Sequence, residues 1–372
     1  MKYYIIAGET SGDLHGANLI QALKKRDAAA EFRIVGGDRM QQASGESAII
    51  HTSQMAFMGF VEVLANIRMI ARNLRLVKAD VAAYAPDTLV LIDFPGFNLK
   101  IAAFAKKMGF RVCYYISPKV WAWNQRRVLK IKRVVDKLFC ILPFEVDFYR
   151  DWGMEVDYVG NPLLDAIANH AFNDRFREEN HLADKPIIAL LPGSREMEIS
   201  RLLPIMARVS LLFPAHHCVV AGAPNFTEAH YRQHMDGLVL PVVFNATYDL
   251  LNHAEAAVVA SGTATLETAL LRVPQVVVYK ANPISIAIAR MVINVRFISL
   301  VNLITNMLAV RELIQKDCNE DQIADEVDLL INDEEYRDNI LENYDLLKEK
   351  LGEPGASDRT AKLITDFLGL DS

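Results

Sequence analysis

Five tracts carry residue types suited to group-transfer chemistry, and three of them follow short apolar runs as loops that open helices. After YYIIAG comes GETSGDLHG (residues 8–16), a glycine-rich turn with neither the G-x-G-x-x-G spacing nor the GK[ST] ending that cradles phosphates. Glu9 and Asp13 would repel a pyrophosphate placed at that helix start. Sugar hydroxyls suit these acids better, although Thr10, Ser11 and Asp13 serve equally well as helix caps. LPGSREMEI (191–199) is the opposite case: Gly193 and Ser194 let a ligand approach the backbone, and Arg195 can fork onto phosphate oxygens. SGTATLET (261–268) adds Ser261, Gly262, Thr263, Ala264 and Thr265 at a helix start, where backbone N–H groups and hydroxyls face an anion. Glu267 stands one turn further on, placed to accept hydrogen bonds from ribose hydroxyls. TLVLID ends at Asp93, ahead of FPGFN. A carboxylate at a strand end can take a proton from a hydroxyl, or it can cap the next helix.

The fifth tract is cationic. YYISPKVWAWNQRRVLKIKRVVDK (114–137) has seven basic residues, Arg126 and Arg127 among them, against the single acid Asp136, with Trp121 and Trp123 at its front. Aromatic and basic residues together mark single-stranded nucleic-acid binders or the membrane interface; no RNA-binding motif accompanies them, which favours the interface. A second stripe agrees. In MGFVEVLANIRMIARNLRLVKADV (58–81), Ile67, Ile70, Leu74 and Val77 recur at helical spacing, while Arg68, Arg72, Arg75 and Lys78 occupy the other side. Behind the apolar lead-in that contains Met58 and Phe60, this pattern reads as a basic amphipathic helix on an anionic membrane, or as a core helix with a solvated arginine face.

The elements that position these tracts alternate. Nearly continuous apolar runs at 3–8, 32–37, 88–94, 111–117 and 137–143, with helical spacing between them, predict parallel strands covered on both sides. The pattern weakens through 169–185 and restarts with PIIALLPGS, followed by 218–224, 241–245, 256–262 and 275–280. The expectation is an α/β protein of two Rossmann-like domains, each a doubly wound, mostly parallel sheet: residues 1–168, residues 169–340, and a helical segment over 341–372. At 372 residues, 52% apolar and 23% charged, the chain has ample core and is neither disordered nor low-complexity. Forty basic against 46 acidic residues leave a net charge of −6, which speaks against a general nucleic-acid partner. Cys113, Cys140, Cys218 and Cys318 form no CxxC and read as reduced core thiols. No signal peptide is apparent, and the apolar stretch 283–310 is interrupted by Arg290 and Arg296, so a cytoplasmic chain without a spanning helix is expected.

In order along the chain, AGETSGDLHG, VGGDRM, MGFVEVL, DFPGFNL, YYISPKVWAWNQRRVLKI, LPFE, VGNPLLD, LLPGSREMEI, SGTATLE and SLVNL closely resemble the lipid-A-disaccharide synthase family, inverting glycosyltransferases of the two-Rossmann (GT-B) architecture. The resemblance implies transfer of 2,3-diacylglucosamine from its UDP derivative onto 2,3-diacylglucosamine 1-phosphate, giving the β-1,6-linked disaccharide and UDP. It implies a place on the inner face of the inner membrane, no cofactor, and room for a homodimer. Asp93 is then the nearer candidate base, with Glu9 and Asp13 behind it; Gly96 stands where many members carry a second Asp. Asn302 of SLVNL is implied at the nucleotide. Met307 replaces a basic residue there, so Lys280 or Arg311 is left to supply the cation. No DxD motif is present to hold a metal on the diphosphate, and the ExD triplets at Glu145, Glu155 and Glu326 fall outside the phosphate loops. Leaving-group charge would then rest on helix N-termini and Arg195. The competing expectations are a UDP-sugar 2-epimerase of the same architecture and a non-catalytic UDP-sugar-binding membrane adaptor.

Overall fold

A computed structural model describes residues 1–55, 67–182, 184–282 and 296–370. The chain divides into two compact units, Met1–Asp165 with Glu353–Ser372, and Ala166–Gly352. Each contains one six-stranded, wholly parallel sheet.

In the first unit the sheet order is β2-β1-β3-β4-β5-β6, from β1 (Lys2–Ala7), β2 (Glu31–Val35), β3 (Thr88–Ile92), β4 (Arg111–Tyr115), β5 (Lys137–Cys140) and β6 (Asp157–Tyr158). Alternation explains why these strands read as unbroken apolar runs. Tyr4, Ile6, Leu89, Leu91 and Tyr114 enter one buried cluster, while Tyr3, Ile5, Val90, Ile92 and Tyr115 enter another. Both faces are covered, so polar residues are excluded from both. The order reverses direction between β1 and β3, where Ala7 pairs with Ile92. A crevice at such a switch point is where open α/β sheets bind ligands.

The second unit has the order β9-β8-β7-β10-β11-β12, from β7 (Ile187–Leu191), β8 (His217–Gly222), β9 (Val242–Phe244), β10 (Ala254–Ala260), β11 (Gln275–Tyr279) and β12 (Glu312–Ile314). Its switch point lies between β7 and β10, with Leu191 opposite Val259. The PGSR and SGTAT tracts leave these two strands at the same edge of the sheet.

The C-terminal segment expected at 341–372 is divided differently. Helix Glu334–Leu351 runs through residue 341 and belongs to the second unit. Beyond Gly352, helix Ala356–Leu368 joins the first unit and packs on helix Thr10–Arg26. Its Ala361, Ile364 and Leu368 share a buried cluster with Leu19, Ile20 and Leu23. The Asp165 carboxylate accepts the backbone N–H groups of Gly355 and Ala356, and Arg359 Nε donates to the Val159 carbonyl at 2.8 Å. An amphipathic helix of this length cannot hide its apolar stripe alone, and the covered partner is remote in sequence. All four cysteines are buried free thiols. Among the described residues, no helix is long and apolar enough to cross a membrane.

Candidate active site

The switch point of the first unit presents two carboxylates. Glu9 follows β1 as the N-cap residue of helix Thr10–Arg26, and Asp93 follows β3. The chain leaves β3 with Asp93 at φ +42° and Phe94 at φ +48°, consecutive left-handed residues of which only Asp is tolerated there with ease. Strain of roughly 1–3 kcal/mol per such residue persists only where the surroundings over-determine it. Here they do: the Asp93 carbonyl accepts from Tyr114 Oη and from Asn98 Nδ2, and Asn98 Nδ2 also reaches the Ile92 carbonyl at 3.1 Å. Gly8 is required beside them, since a Cβ at that position would overlap the Phe94 ring. The outcome is a half-buried carboxyl group pushed up to about 6, chiefly by burial and next by the charge of Glu9, against the opposing pull of Lys119 and the Phe94 N–H.

Asp13 has a different role from the one expected of a candidate base. It is buried, and its carboxylate accepts from the N–H groups of Gly37, Arg39 and Met40 at 2.6, 3.1 and 3.1 Å. It caps helix Asp38–Ser44 across the sheet edge rather than its own helix, with both carboxylate oxygens turned to those three N–H groups. Glu9, the N-cap residue of helix Thr10–Arg26, makes no side-chain cap.

A buried polar cluster beyond β4 and β5 was not singled out from the sequence. Glu145 accepts from Ser117 Oγ at 2.6 Å, Trp121 Nε1 at 3.1 Å and the Leu142 N–H at 3.1 Å, while burial raises its carboxyl to about 7. Trp121 is thereby corrected. It was expected at a membrane surface, but it is buried edge-on against Phe144, because its indole N–H has an interior acceptor. The readable signal was a pair of polar tracts, ISPK and LPFE, leaving the adjacent parallel strands β4 and β5. Ile116 at φ +64° is a further strained position at this edge, and a β-branched one.

At the second unit's switch point, Gly193 has φ +102° and a Cβ there would collide with Glu198. The reason is a capping box. Glu198 Oε2 accepts from the N–H groups of Ser194 and Arg195 at 3.1 and 3.3 Å, so the backbone donors expected for phosphate are taken. The Arg195 guanidinium remains largely exposed, 3.4 Å from Glu198 Oε1. The SGTAT tract is more open: Gly262 and Thr263 are exposed at the start of helix Thr263–Leu270, and nothing lies within 4 Å of where a Gly262 Cβ would be. Ala264 is half-buried behind them. Ser261 Oγ donates to the Ile298 carbonyl, and buried Thr265 donates to the Gly262 carbonyl. Glu267 accepts from Tyr248 Oη at 3.0 Å, and burial raises its carboxyl.

Asn302, expected at the nucleotide, has its side chain turned to the protein interior. It is fully buried. Its amide N–H groups go to the Val310 carbonyl and Glu312 Oε1, both at 2.8 Å, and its Oδ1 accepts from the N–H groups of Ala309 and Val310, both at 2.9 Å. That uses the hydrogen-bonding capacity of an amide, so the side chain holds the 306–311 loop in place. The suggested substitute cations are engaged too: Lys280 donates to the Cys318 carbonyl, and Arg311 pairs with Glu326 at 3.4 Å.

Arg68, Arg72 and Arg75 are exposed on helix Ile67–Tyr84, which buries only Val77 and Val81. Ile67 is 58% exposed instead of facing the core. Met58 and Phe60 lie outside the described residues, as does the side chain of Trp123. Arg126 is exposed and Arg127 half-buried. Lys130 titrates below the usual lysine range through partial burial and then the positive charges of Arg127, Lys100 and Arg133, a sign that this basic cluster is concentrated.

Comparison with known proteins places this arrangement in context. The family described as Lipid-A-disaccharide synthetase matches residues 3–364. The lipid-A-disaccharide synthase of Trichlorobacter lovleyi is 38% identical over 374 residues, covering 99% of this chain and 97% of the relative. That of Syntrophus aciditrophicus is 40% identical over 365 residues, covering 96% and 95%. Solved structures share the fold at low identity. A putative UDP-N-acetylglucosamine 2-epimerase from Listeria monocytogenes superposes with TM-score 0.71 at 13% identity, covering 99% of this chain and 96% of the other. The glycotransferase of kitacinnamycin superposes with TM-score 0.65 at 14% identity, covering 99% of each.

Proposed function

The chain belongs to the lipid-A-disaccharide synthetase family, and from that premise we propose that it transfers 2,3-diacylglucosamine from UDP onto the 6-hydroxyl of 2,3-diacylglucosamine 1-phosphate. The observation that carries the mechanism is Asp93, a carboxyl at about 6 on a strained strand end beside Glu9. A base with a pKa just below neutral is ionised at working pH and still draws a proton as the hydroxyl attacks. The acceptor oxygen forms its bond to the sugar C1 from the face opposite the diphosphate, the C1–O bond to UDP breaks with its electrons, and the hydroxyl proton passes to Asp93. Configuration inverts. Glu9 does not touch the proton; its charge keeps Asp93 basic.

Charge on the departing UDP is met by the Arg195 guanidinium and the open start of helix Thr263–Leu270, with Glu267 on the ribose. The epimerase alternative rests on fold neighbours of 13% identity, which share architecture only, whereas relatives at 36–40% identity over nearly the whole chain carry the synthase name. The exposed arginines of helix Ile67–Tyr84 and the cluster around Lys130 support docking on anionic lipid, which brings acylated substrates to a chain with no spanning helix among its described residues. The direct test mixes purified protein with both diacylated substrates and follows UDP release and disaccharide together. UDP without disaccharide, or neither product, would reject the assignment.

A further inference from the structure

Helix Glu228–Gln233 carries the sequence HYRQH across its end, so His230 and His234 stand four residues apart on one face. Tyr231 is fully buried and donates its hydroxyl to none of them; its Oη accepts the Ala223 N–H at 2.7 Å, which fixes the helix and thereby the histidine row. Phe226 stacks on the His230 ring at 4.5 Å and sets its plane. Facing this row is Glu196, the first residue of helix Glu196–Val209. The two helices follow β8 and β7, which are hydrogen-bonded neighbours, so the topology brings them together. Glu196 Oε2 lies 2.8 Å from His230 Nε2 and Glu196 Oε1 lies 3.4 Å from His234 Nε2, with the imidazole centroids 5.1 Å apart. One ligand atom from each residue falls within 4.8 Å of the other two.

The His230 contact is informative. Its Nε2 is shut off from solvent yet has no aligned hydrogen bond, although a carboxylate oxygen is 2.8 Å away. With the ring proton on Nδ1, the His230 Nε2 lone pair and a carboxylate lone pair converge off the hydrogen-bond line, an arrangement suited to a shared cation. Ligand atoms about 2.0–2.1 Å from a tetrahedral ion stand roughly 3.3 Å apart; the two imidazole–carboxylate distances, 2.8 Å to Oε2 and 3.4 Å to Oε1, lie near that value, and the three residues offer ligand atoms within 4.8 Å of one another.

We propose that Glu196, His230 and His234 form a binding site for a divalent transition-metal ion, Zn2+ by donor set, with its fourth position open to water or an anion. Two imidazoles and a carboxylate suit zinc, whereas Mg2+ and Ca2+ take oxygen ligands almost exclusively. The site is separate from the proton transfer assigned to Asp93. Its position is suggestive all the same, since Glu196 directly follows Arg195, and a bound ion would tie the first turn after the PGSR loop to the neighbouring helix.

The test uses untagged, full-length protein stripped with chelator. Zn2+ is titrated in competition with a chromophoric chelator, and Co2+ serves as a spectroscopic probe. One equivalent should bind, the cobalt form should show the intense visible bands of a four-coordinate ion, and His230→Gln and His234→Gln should each weaken binding by about 100-fold or more. His216 and His217 pair with Glu255 and Asp184 in the same unit, so His216→Gln and His217→Gln should change nothing. Circular dichroism of each metal-free variant should match that of the parent. A plain histidine–glutamate ion pair would give no stoichiometric binding, and that result overturns the site. So does binding that survives both His230→Gln and His234→Gln, or a pale six-coordinate cobalt spectrum.

Discussion

Replacing Asp93 with Asn should make the protein more stable and nearly inactive at once, with both effects set by one ionisation. Asn keeps the shape, tolerates the left-handed backbone at φ +42°, and can still accept the Phe94 N–H. It cannot hold a proton taken from a hydroxyl, so turnover should fall about 100-fold or more. The stability gain follows from linkage. Raising a carboxyl from 3.8 to about 6 means that its charge costs the folded state about 3 kcal/mol. That stability is fully present below pH 3.8 and is lost as pH rises through 6. The neutral Asn never pays this cost, so at pH 8 the variant should exceed the parent by at most about 3 kcal/mol, a rise in melting temperature of roughly 6–12 °C. The two should converge below pH 4.

The same reasoning predicts the activity profile. The acid limb of kcat/KM should have its midpoint near 6, with about a tenth of full activity at pH 5. Glu9→Gln removes the second cause of the raised value and should move the limb to lower pH, while Lys119→Met removes an opposing charge and should move it higher. Calorimetry across pH and steady-state UDP release measure both sides. A limb in the ordinary carboxylate range, a common direction of shift for the Glu9 and Lys119 variants, or an Asp93→Asn protein no more stable than the parent at pH 8 would each refute the assignment.

Three further outcomes are expected. Arg195→Ala should weaken UDP binding in calorimetric titration by about 2 kcal/mol, and Glu267→Gln by less, as Gln keeps an acceptor; on UDP addition, hydrogen exchange should slow at residues 262–266 and stay unchanged at 194–195, whose N–H groups Glu198 already occupies. Glu145→Ala should cost about 2–4 kcal/mol in urea unfolding, since it strands the Ser117, Trp121 and Leu142 donors in the interior. The triple substitution of Arg68, Arg72 and Arg75 by Glu should abolish sedimentation with anionic vesicles, at ~1 kcal/mol per basic residue near the surface; unchanged sedimentation would locate the docking face elsewhere.

What the sequence disclosed and what it withheld follow one physical rule. Strands covered on both faces must be apolar throughout, so the two sheets and the loops at their edges were readable from the runs alone. Polar side chains are different, because each takes the best partner within reach, and reach is decided in three dimensions. Asp13 looked like a cap for its own helix or a base, and instead holds the start of helix Asp38–Ser44. Asn302 and Glu198 likewise spend themselves on backbone groups that their own loops leave unpaired. The four-residue spacing of His230 and His234 drew no reading from the sequence, because the Glu196 that faces them is brought there only by the pairing of β7 with β8. The consequence bears on where an anion can be held. A carboxylate already seated on the Ser194 and Arg195 N–H groups opposes a second anion at that helix start, which weakens the PGSR loop as a diphosphate cradle. The helix that opens with exposed Gly262 and Thr263 keeps its donors. On the proposed reading Arg195 serves the nucleotide by its guanidinium, and the backbone donors for the diphosphate come from the SGTAT tract, although its sequence pattern is the weaker of the two.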